Sequence, residues 1–290
     1  SHSLRLQNDE TGGFMATEKL KIIPLGGLNE VGKNLTVYEY GNDILVVDCG
    51  LGFPDGEMYG VDVVIPDVTY LVKNAEKIRG IVLTHGHEDH IGAIPYVLKD
   101  ISAPIYGTPL TLALVRYKLE EHRLLDIADL REFRARDRFS VGCFEVEAIH
   151  VNHSIACSVA LAIKTPVGMV IHTGDFKIDT TPINCAMTDL TRLGELGKEG
   201  VLALLSDSTN AERKGFSPSE RTVGDALDGL FDNCPRRIII TTFASNVYRV
   251  QQIITLAAKN GRKVAITGRS MENMVAASAE LGYMTVPPDT

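Results

Sequence analysis

Three histidines and one aspartate lie within the short run that begins at His85 and ends at His90. His85 and His87 alternate directly after an apolar stretch, so at the end of a strand their side chains project in the same direction and can bind one metal ion. The chain then turns into a predicted helix that directs Asp89 and His90 towards a second position. A lone histidine is usually a core or surface residue, but that interpretation leaves most of this cluster unexplained. Imidazole and carboxylate ligands without thiolate suit zinc, and less often manganese.

Further candidate ligands stand where predicted strands give way to polar sequence. His153 follows the stretch 149–152, and Asp175 follows 171–174. Strand ends are common positions for functional groups, although a buried capping role explains each residue alone equally well. Asp48 ends another apolar strand, and we expect it to orient a ligand rather than to bind metal. Together with the histidine run, these residues predict a two-metal hydrolase site.

The hydrophobic pattern divides the chain into two architectures. The first two hundred residues contain short apolar strands separated by turns that carry glycine. After Val201, strands alternate with helices, as in a parallel, doubly wound sheet. The prediction includes a helix over 91–98 and strands over 237–242 and 263–267. The predicted parts are a flexible leader (1–18), a β-rich domain (19–210) and a partial α/β domain (211–290).

Composition narrows the class of protein. The chain has 290 residues, 44% of them hydrophobic and 23% charged, which is typical of a globular protein. Its formal net charge of −8 provides no overall basic field to attract nucleic acid, although a local groove can still be basic. The five cysteines are scattered and favour a reducing compartment over a disulfide framework. We find no membrane span and no secretory signal, and the cytoplasm is the predicted location.

The segment from Thr84 to Gly92 resembles the signature of the metallo-β-lactamase fold. Asp48, His153 and the segment Thr173-Gly174-Asp175 stand in the order that this superfamily uses. The resemblance implies an α/β fold, an αββα metallo-β-lactamase sandwich in the N-terminal part of the chain.

Other segments narrow the resemblance. The segment 206–210 is similar to the start of the inserted β-CASP domain found in nucleic-acid-processing members of the superfamily. The stretches 24–34, 174–177 and 268–271 resemble the ribonuclease J family, and the match runs from about Leu20 to the last residue. The sandwich is therefore expected to lead into an incomplete β-CASP parallel α/β domain.

This resemblance implies a zinc-dependent ribonuclease. It would hydrolyse RNA phosphodiesters by a metal-bridging hydroxide, as an endonuclease and a 5′-to-3′ exonuclease in RNA decay and processing. The implied partners are RNA with a 5′-monophosphate, further copies of the chain in a homo-oligomer and an RNA-degrading assembly, with no membrane. The implied ligands are His85, His87 and His153 for one Zn²⁺ and Asp89 and His90 for the other, with Asp175 bridging both, and the implied catalytic residues are Asp89, Asp175 and Asp207.

Two loops that precede predicted helices form a candidate phosphate site. Helix N-termini at the carboxyl edge of a parallel sheet bind phosphate well, and in this family such a pocket is expected to hold the 5′-monophosphate of RNA. Alternatively, the two serines are helix caps and the arginine is a surface charge. The residues concerned are Ser245, Asn246, Arg269 and Ser270.

Two features depart from the family pattern. Cys157 stands where family members usually carry aspartate; it would either weaken a hydrogen-bond network or be a harmless small residue in a buried strand. The family's last zinc-ligand histidine and its proton-donating histidine lie downstream of anything in this chain. We therefore expect a C-terminally truncated chain that is weakly active or inactive as it stands.

Two other functions are compatible with the same residues. One is a hydrolase of small esters or thioesters with the same metal core, which would not need the α/β insertion. The other is a degenerate RNA-binding or assembly module that has lost its chemistry, an interpretation that Cys157 keeps open.

Overall fold

The computed structural model describes residues 18–183, 186–232, 234–288 and 290. Six strands form its first sheet: β1 (Lys21–Gly26), β2 (Leu35–Tyr40), β3 (Asp43–Val47), β4 (Ile78–Val82), β5 (Ile105–Gly107) and β6 (Leu130–Glu132). They follow one another in chain order across the sheet. The first three are antiparallel neighbours, whereas β3 to β6 pair in parallel.

Five strands form the second sheet: β7 (Arg138–Val141), β8 (Phe144–His150), β9 (Val159–Thr165), β10 (Gly168–His172) and β11 (Ala203–Leu205). Their order across the sheet is β11-β10-β9-β8-β7. The strands β7 to β10 are antiparallel, and β11 joins β10 in parallel.

Eight α-helices lie in the described part of the chain. They are α1 (Thr69–Lys73), α2 (Glu88–Ile91), α3 (Ile94–Val97), α4 (Pro109–Glu121), α5 (Leu190–Glu199), α6 (Arg221–Asp232), α7 (Val247–Lys259) and α8 (Arg269–Glu280). Short 3₁₀ turns lie at Ala75–Lys77 and Leu125–Ile127. The helix predicted over 91–98 is instead two short helices, α2 and α3. The helical hydrogen bonds are interrupted because the Ala93 N–H donates to the Cys49 carbonyl and Pro95 has no N–H.

The two sheets pack face to face between layers of helices. Alternate residues of β3 face opposite sides of the first sheet: Leu45 and Val47 lie in the core between the sheets, and Ile44 and Val46 lie in the core under the helices. On the far side, Leu196 of α5 is buried against the second sheet. The layers are thus helix, sheet, sheet, helix, which confirms the predicted αββα sandwich.

The helices of the later segment pack on the sandwich. Val247 and Ile254 of α7 and Met274 of α8 belong to the same buried cluster as Leu110 and Val115 of α4. The domain boundary placed at residue 211 stays a prediction, because the two parts share this cluster.

The prediction of strands over 237–242 and 263–267 was wrong. Neither range forms a strand in the part of the chain that the structure describes. The alternation of side chains is present, since Ile238 and Ile240 line a cavity beside α7 whereas Ile239 is 87% exposed. An extended segment becomes a strand only when a neighbouring backbone pairs with it, and the apolar pattern carries no information about that neighbour.

Some predictions fall wholly or partly outside the described residues. The predicted leader, 1–18, lies outside them except for Glu18, and so does Cys185. The described cysteines Cys49, Cys143, Cys157 and Cys234 are all free thiols. None of the described helices is both long enough and apolar enough to cross a bilayer.

Candidate metal centre

The ends of three strands converge at one edge of the sandwich. His85 and His87 follow β4, with His87 at the residue before α2, while His153 follows β8 and Asp175 follows β10. Gly174 lets the β10 loop reach the β4 loop, because its backbone has a φ of +54° and an added Cβ would lie 2.8 Å from the Thr84 Cβ. The fold therefore brings together residues that are distant in sequence.

One set of ligand atoms, which we call the histidine group, comes from His85, His87, His153 and Asp175. Their ligand atoms all lie within 4.8 Å of one another. Asp175 Oδ2 is 3.9 Å from His85 Nε2 and 3.7 Å from His153 Nε2, and His153 Nε2 is 3.2 Å from His87 Nδ1. These four donor atoms surround a position at which one metal ion could bind to all of them.

A second set, which we call the carboxylate group, comes from Asp89, His90 and Asp175. His90 Nε2 lies 3.6 Å from Asp89 Oδ2 and 3.3 Å from Asp175 Oδ1. Asp175 thus turns one oxygen to each group. A carboxylate in this position has the geometry of a bridge between two adjacent ions.

The surroundings of one buried nitrogen, His85 Nε2, show whether these residues fit a metal ion. His85 Nε2 is buried and has no hydrogen-bond partner among the described residues, which is costly for a polar atom unless something else binds it. The other ring nitrogen, Nδ1, lies 3.0 Å from the Thr84 hydroxyl, and that hydroxyl donates to Asp48 Oδ2 at 2.9 Å. The hydroxyl then accepts from Nδ1–H, which leaves the Nε2 lone pair facing the histidine group. The donors therefore fit a divalent cation.

Burial keeps the imidazoles of the histidine group neutral. It lowers the pKa of His85, lowers that of His87 to about 3 and lowers that of His153 to about 4. Burial alone would raise the pKa of Asp175, but the surrounding histidines, His90 first, lower it to about 2. Neutral imidazole and ionised carboxylate are the forms that bind metal.

The pKa of His90 is shifted in the opposite direction, upwards. Its burial lowers the pKa, but the charges and hydrogen bonds of Asp48 and Asp175 more than offset that and raise it well above the ordinary value. Burial raises the pKa of Asp89. Without metal, His90 therefore holds a proton between two carboxylates.

Asp48 lies next to His90, where it can orient this ligand. Its side chain is buried, and Oδ2 lies 2.7 Å from His90 Nδ1. Oδ1 accepts from the Thr84 main-chain N–H at 2.8 Å. Asp48 thus fixes the ring that presents Nε2 to the carboxylate group, and it belongs to neither ligand set itself.

Two residues that contact the site were missed by sequence reasoning. Thr84 connects Asp48 to His85, and Asn34 contacts both Asp89 and His90. Thr84 could have been found as the polar residue between a buried strand and the first histidine. Asn34 ends the stretch 24–34, which carries part of the family resemblance, but it lies 51 positions before His85 and its residue type does not reveal a contact with Asp89 or His90.

Asp207 lies beside the histidine group but outside both ligand sets. Its charge acts on the His153 ring, and its main-chain N–H donates to the Thr173 hydroxyl at 2.9 Å. Its Oδ1 accepts from the Thr209 main-chain N–H at 2.7 Å. The loop after β11 is thereby attached to the loop that carries Asp175.

The candidate phosphate residues have different contacts. The main-chain carbonyl of Ser245 lies against the His87 ring. Asn246 caps α7, its Oδ1 accepting from the Arg249 N–H at 3.1 Å. Arg269, at the start of α8, instead pairs with Glu121 of α4 at 3.0 Å and is largely exposed.

Ser270 is an exposed residue in the first turn of α8. Ser270 directly follows Arg269, and no described contact connects it to the two ligand groups.

Cys157 does not lie in a strand. It occupies a turn before β9 with a φ of 62°, a conformation that asparagine and aspartate adopt more readily than most residues. Burial raises the pKa of its thiol, and its side chain contacts the Tyr283 hydroxyl. It lies outside both ligand groups, so the substitution acts on contacts with the later segment rather than on a ligand.

Two family models match the chain. The model of the metallo-beta-lactamase superfamily matches residues 28–184. The model described as the ribonuclease J beta-CASP domain matches residues 235–290. The first covers the elements that carry both ligand groups.

Several curated proteins are similar to nearly the whole chain. The ribonuclease J of Synechocystis sp. is 53% identical over 93% of this chain, and that of Thermus thermophilus is 46% identical over 93%. The ribonuclease J2 of Bacillus subtilis is 45% identical over 92%. The chain spans 43%, 48% and 48% of these relatives' own lengths, respectively.

A solved structure shares the fold. It is a protein of unknown function from Enterococcus faecalis, with a TM-score of 0.67 and 18% sequence identity, covering 93% of this chain and 69% of that one.

Proposed function

The chain belongs to the metallo-β-lactamase superfamily and, within it, to the ribonuclease J family, and from this premise we propose that it holds two zinc ions and hydrolyses RNA phosphodiesters. The observation that carries the proposal is the sharing of Asp175 between the histidine group and the carboxylate group. Two adjacent divalent ions, when bound, activate water at neutral pH and neutralise the charge of the phosphate under attack.

The ligand assignment follows the two groups. His85, His87 and His153 would hold one ion, Asp89 and His90 the other, and Asp175 both. Oxygen and nitrogen donors without thiolate favour Zn²⁺, with Mn²⁺ as the second choice. We assign catalytic importance to Asp89 and Asp175 as ligands of the reacting centre.

The side chains around the ligands hold them in position. Asp48 fixes the His90 ring, and Thr84 fixes the His85 ring. Asp207 supports the site through its charge on His153 and through its attachment to Thr173. Through these contacts, Asp48, Thr84 and Asp207 would keep the ligands of the two ions in position.

The proposed binding site for the end of the RNA lies at the N-terminus of α7. The helix α7 begins directly after Asn246, and the Ser245 main-chain carbonyl just before it lies against the His87 ring, so this helix N-terminus lies beside the histidine group. Helix N-termini attract phosphate. We propose that this end, with Arg269 and Ser270 of α8, receives the 5′-monophosphate of RNA. A 5′-end so close to the metal centre would favour 5′-to-3′ exonuclease action beside endonuclease cleavage.

The cellular setting extends the same proposal. We propose that the protein works on RNA in the cytoplasm, as a homo-oligomer and in contact with an RNA-degrading assembly. The free thiols of the four described cysteines fit a reducing compartment.

One experiment tests the proposal. The full-length form of the protein is purified, assayed for bound metal and offered RNAs with 5′-monophosphate, 5′-hydroxyl and 5′-triphosphate ends, beside a thioester. We expect metal in the protein and decay of RNA that is fastest for the monophosphate and lost in His85→Ala. Thioester turnover without RNA cleavage would assign the site to small-ester hydrolysis, and RNA binding without metal would assign the chain to a degenerate binding module.

A further inference from the structure

Asn34 reaches the carboxylate group from the loop between β1 and β2. Its side-chain nitrogen Nδ2 lies 3.3 Å from Asp89 Oδ2 and 3.1 Å from His90 Nε2. The same nitrogen donates to the main-chain oxygen of Asp89 at 3.1 Å. One half-buried amide therefore touches both protein ligands that are specific to this group.

The orientation of the amide follows from its partners. The main-chain oxygen and the carboxylate of Asp89 can only accept hydrogen bonds, so the atom that faces them must be the NH₂ of Asn34. Its two hydrogens match these two acceptors. His90 Nε2 then remains available as a ligand while Asn34 holds Asp89.

The backbone anchors Asn34 on both sides of the site. Its main-chain N–H donates to the Asp89 carbonyl at 3.0 Å, and its own carbonyl accepts from Gly50 N–H at 2.9 Å. On the other side, Gly27 lies so close that an added Cβ would come within 2.5 Å of Asn34 Oδ1. The amide is thus confined between the glycine loop and α2, which gives that loop a role in the site.

We propose that Asn34 is a positioning residue that holds the Asp89 carboxylate in the orientation required to bind the second ion. This inference rests on the proposed two-metal function. Carboxylates that ligate metal are themselves held by hydrogen bonds, and loss of such a partner typically weakens metal affinity by about 10- to 100-fold. Among the described residues, no hydrogen bond connects the Asn34 side chain to the three histidines of the histidine group, so the ion of that group is expected to be unaffected.

The test compares zinc binding by the wild-type chain with binding by Asn34→Ala and Asn34→Asp. Asn260→Ala is the matched control, because Asn260 is also half-buried and its amide also donates to a main-chain carbonyl, that of Leu256 at 2.9 Å. Zinc content is measured across buffered free-zinc concentrations, and circular dichroism checks the fold. If Asn34→Ala does not fold, the isosteric Asn34→Asp carries the comparison.

We expect both Asn34 variants to bind one ion as the wild type does and the other about 10- to 100-fold more weakly, with Asn260→Ala unchanged. Equal weakening of both ions would indicate a general structural defect and overturn the inference. Tighter binding by Asn34→Asp would show direct ligation through oxygen and overturn it too. Unchanged binding by Asn34→Ala would overturn this inference alone, whereas a wild-type chain that binds no zinc would overturn the proposed function as well.

Discussion

The histidine group and the carboxylate group share Asp175, but different forces prepare them for metal. In the histidine group, the dominant effect is desolvation. Burial lowers the pKa of His87 to about 3 and that of His153 to about 4, and His85 Nε2 has no hydrogen-bond partner in the described part of the chain. Hydrogen bonding prepares the second, in which Asp48 holds the ring of His90. The nearby carboxylates raise the pKa of His90.

This difference has a chemical consequence. A metal ion that enters the histidine group meets imidazoles that are already neutral, so it displaces few protons. An ion that enters the carboxylate group must displace the proton of His90, because metal binding and protonation compete for the same lone pair. We therefore expect the histidine group to hold its ion more tightly near neutral pH and the carboxylate group to exchange its ion more readily.

The largest effect is expected at the residue that the two groups share. Asp175→Ala removes a ligand oxygen from each group, together with the carboxylate charge that the imidazoles of both groups share. Zinc affinity should fall at both positions, and RNA cleavage should fall by about 10²- to 10³-fold, the scale of losing one electrostatic catalytic group. Zinc content and cleavage rate are measured together. Loss of only one ion would contradict the bridging geometry.

A smaller and selective effect is expected at Asp48. Asp48→Asn keeps the shape of the side chain but removes the charge that fixes the His90 ring, so zinc affinity of the carboxylate group should fall by about 10- to 100-fold. The ion in the histidine group should stay. Zinc titration of the variant measures both affinities, and equal losses at the two positions would end the distinction between them.

The same contrast explains how much of the site could be predicted from sequence. His85, His87, Asp89 and His90 stand in one run, and their chemistry is visible in the residue types. The contact of Asn34 with that run could not be predicted, since it depends on how the β1–β2 loop packs on α2. Ligand identity is a local property of the sequence, whereas the orientation of a ligand depends on the tertiary fold.

The fold shows a similar limit. The strands of the sandwich were predictable, because β2, β3, β8 and β9 carry dense apolar patterns and each finds a neighbour. The stretches 237–242 and 263–267 carry equally clear patterns but remain unpaired in the described residues. Side-chain alternation predicts extended backbone, and only a neighbouring segment converts it into a strand.

The pH dependence of stability should differ in sign between the two groups. In metal-free protein, His87 has a folded pKa below that of the unfolded chain, near 6.5, so its contribution is present above that pH and lost as pH falls. His87→Gln should therefore make the loss of unfolding free energy between pH 6.5 and 4 shallower, by at most about 1.4 kcal/mol per pH unit. Urea unfolding with a chelator present measures this slope.

His90 provides the opposite case. Its folded pKa is raised, so its contribution is fully present below the unfolded value and lost as pH rises through the folded one. His90→Gln should remove stability at pH 6 and much less at high pH. If the unfolding free energies of His87→Gln and His90→Gln changed with pH in the same way, desolvation and hydrogen bonding would not distinguish the two groups.

The smallest effect is expected at Arg269, which belongs to neither group. Its ion pair with Glu121 is exposed, so Glu121→Ala should change the unfolding free energy by less than about 1 kcal/mol and leave both ions bound. If Arg269 contacts the RNA 5′-phosphate, Arg269→Ala should reduce the preference for monophosphorylated over hydroxylated RNA by about two- to fivefold, the scale of one exposed charge contact. Cleavage of the two RNAs is compared at equal zinc content. A changed zinc content would place Arg269 in the metal centre, whereas an unchanged preference would leave it as a surface charge on α8.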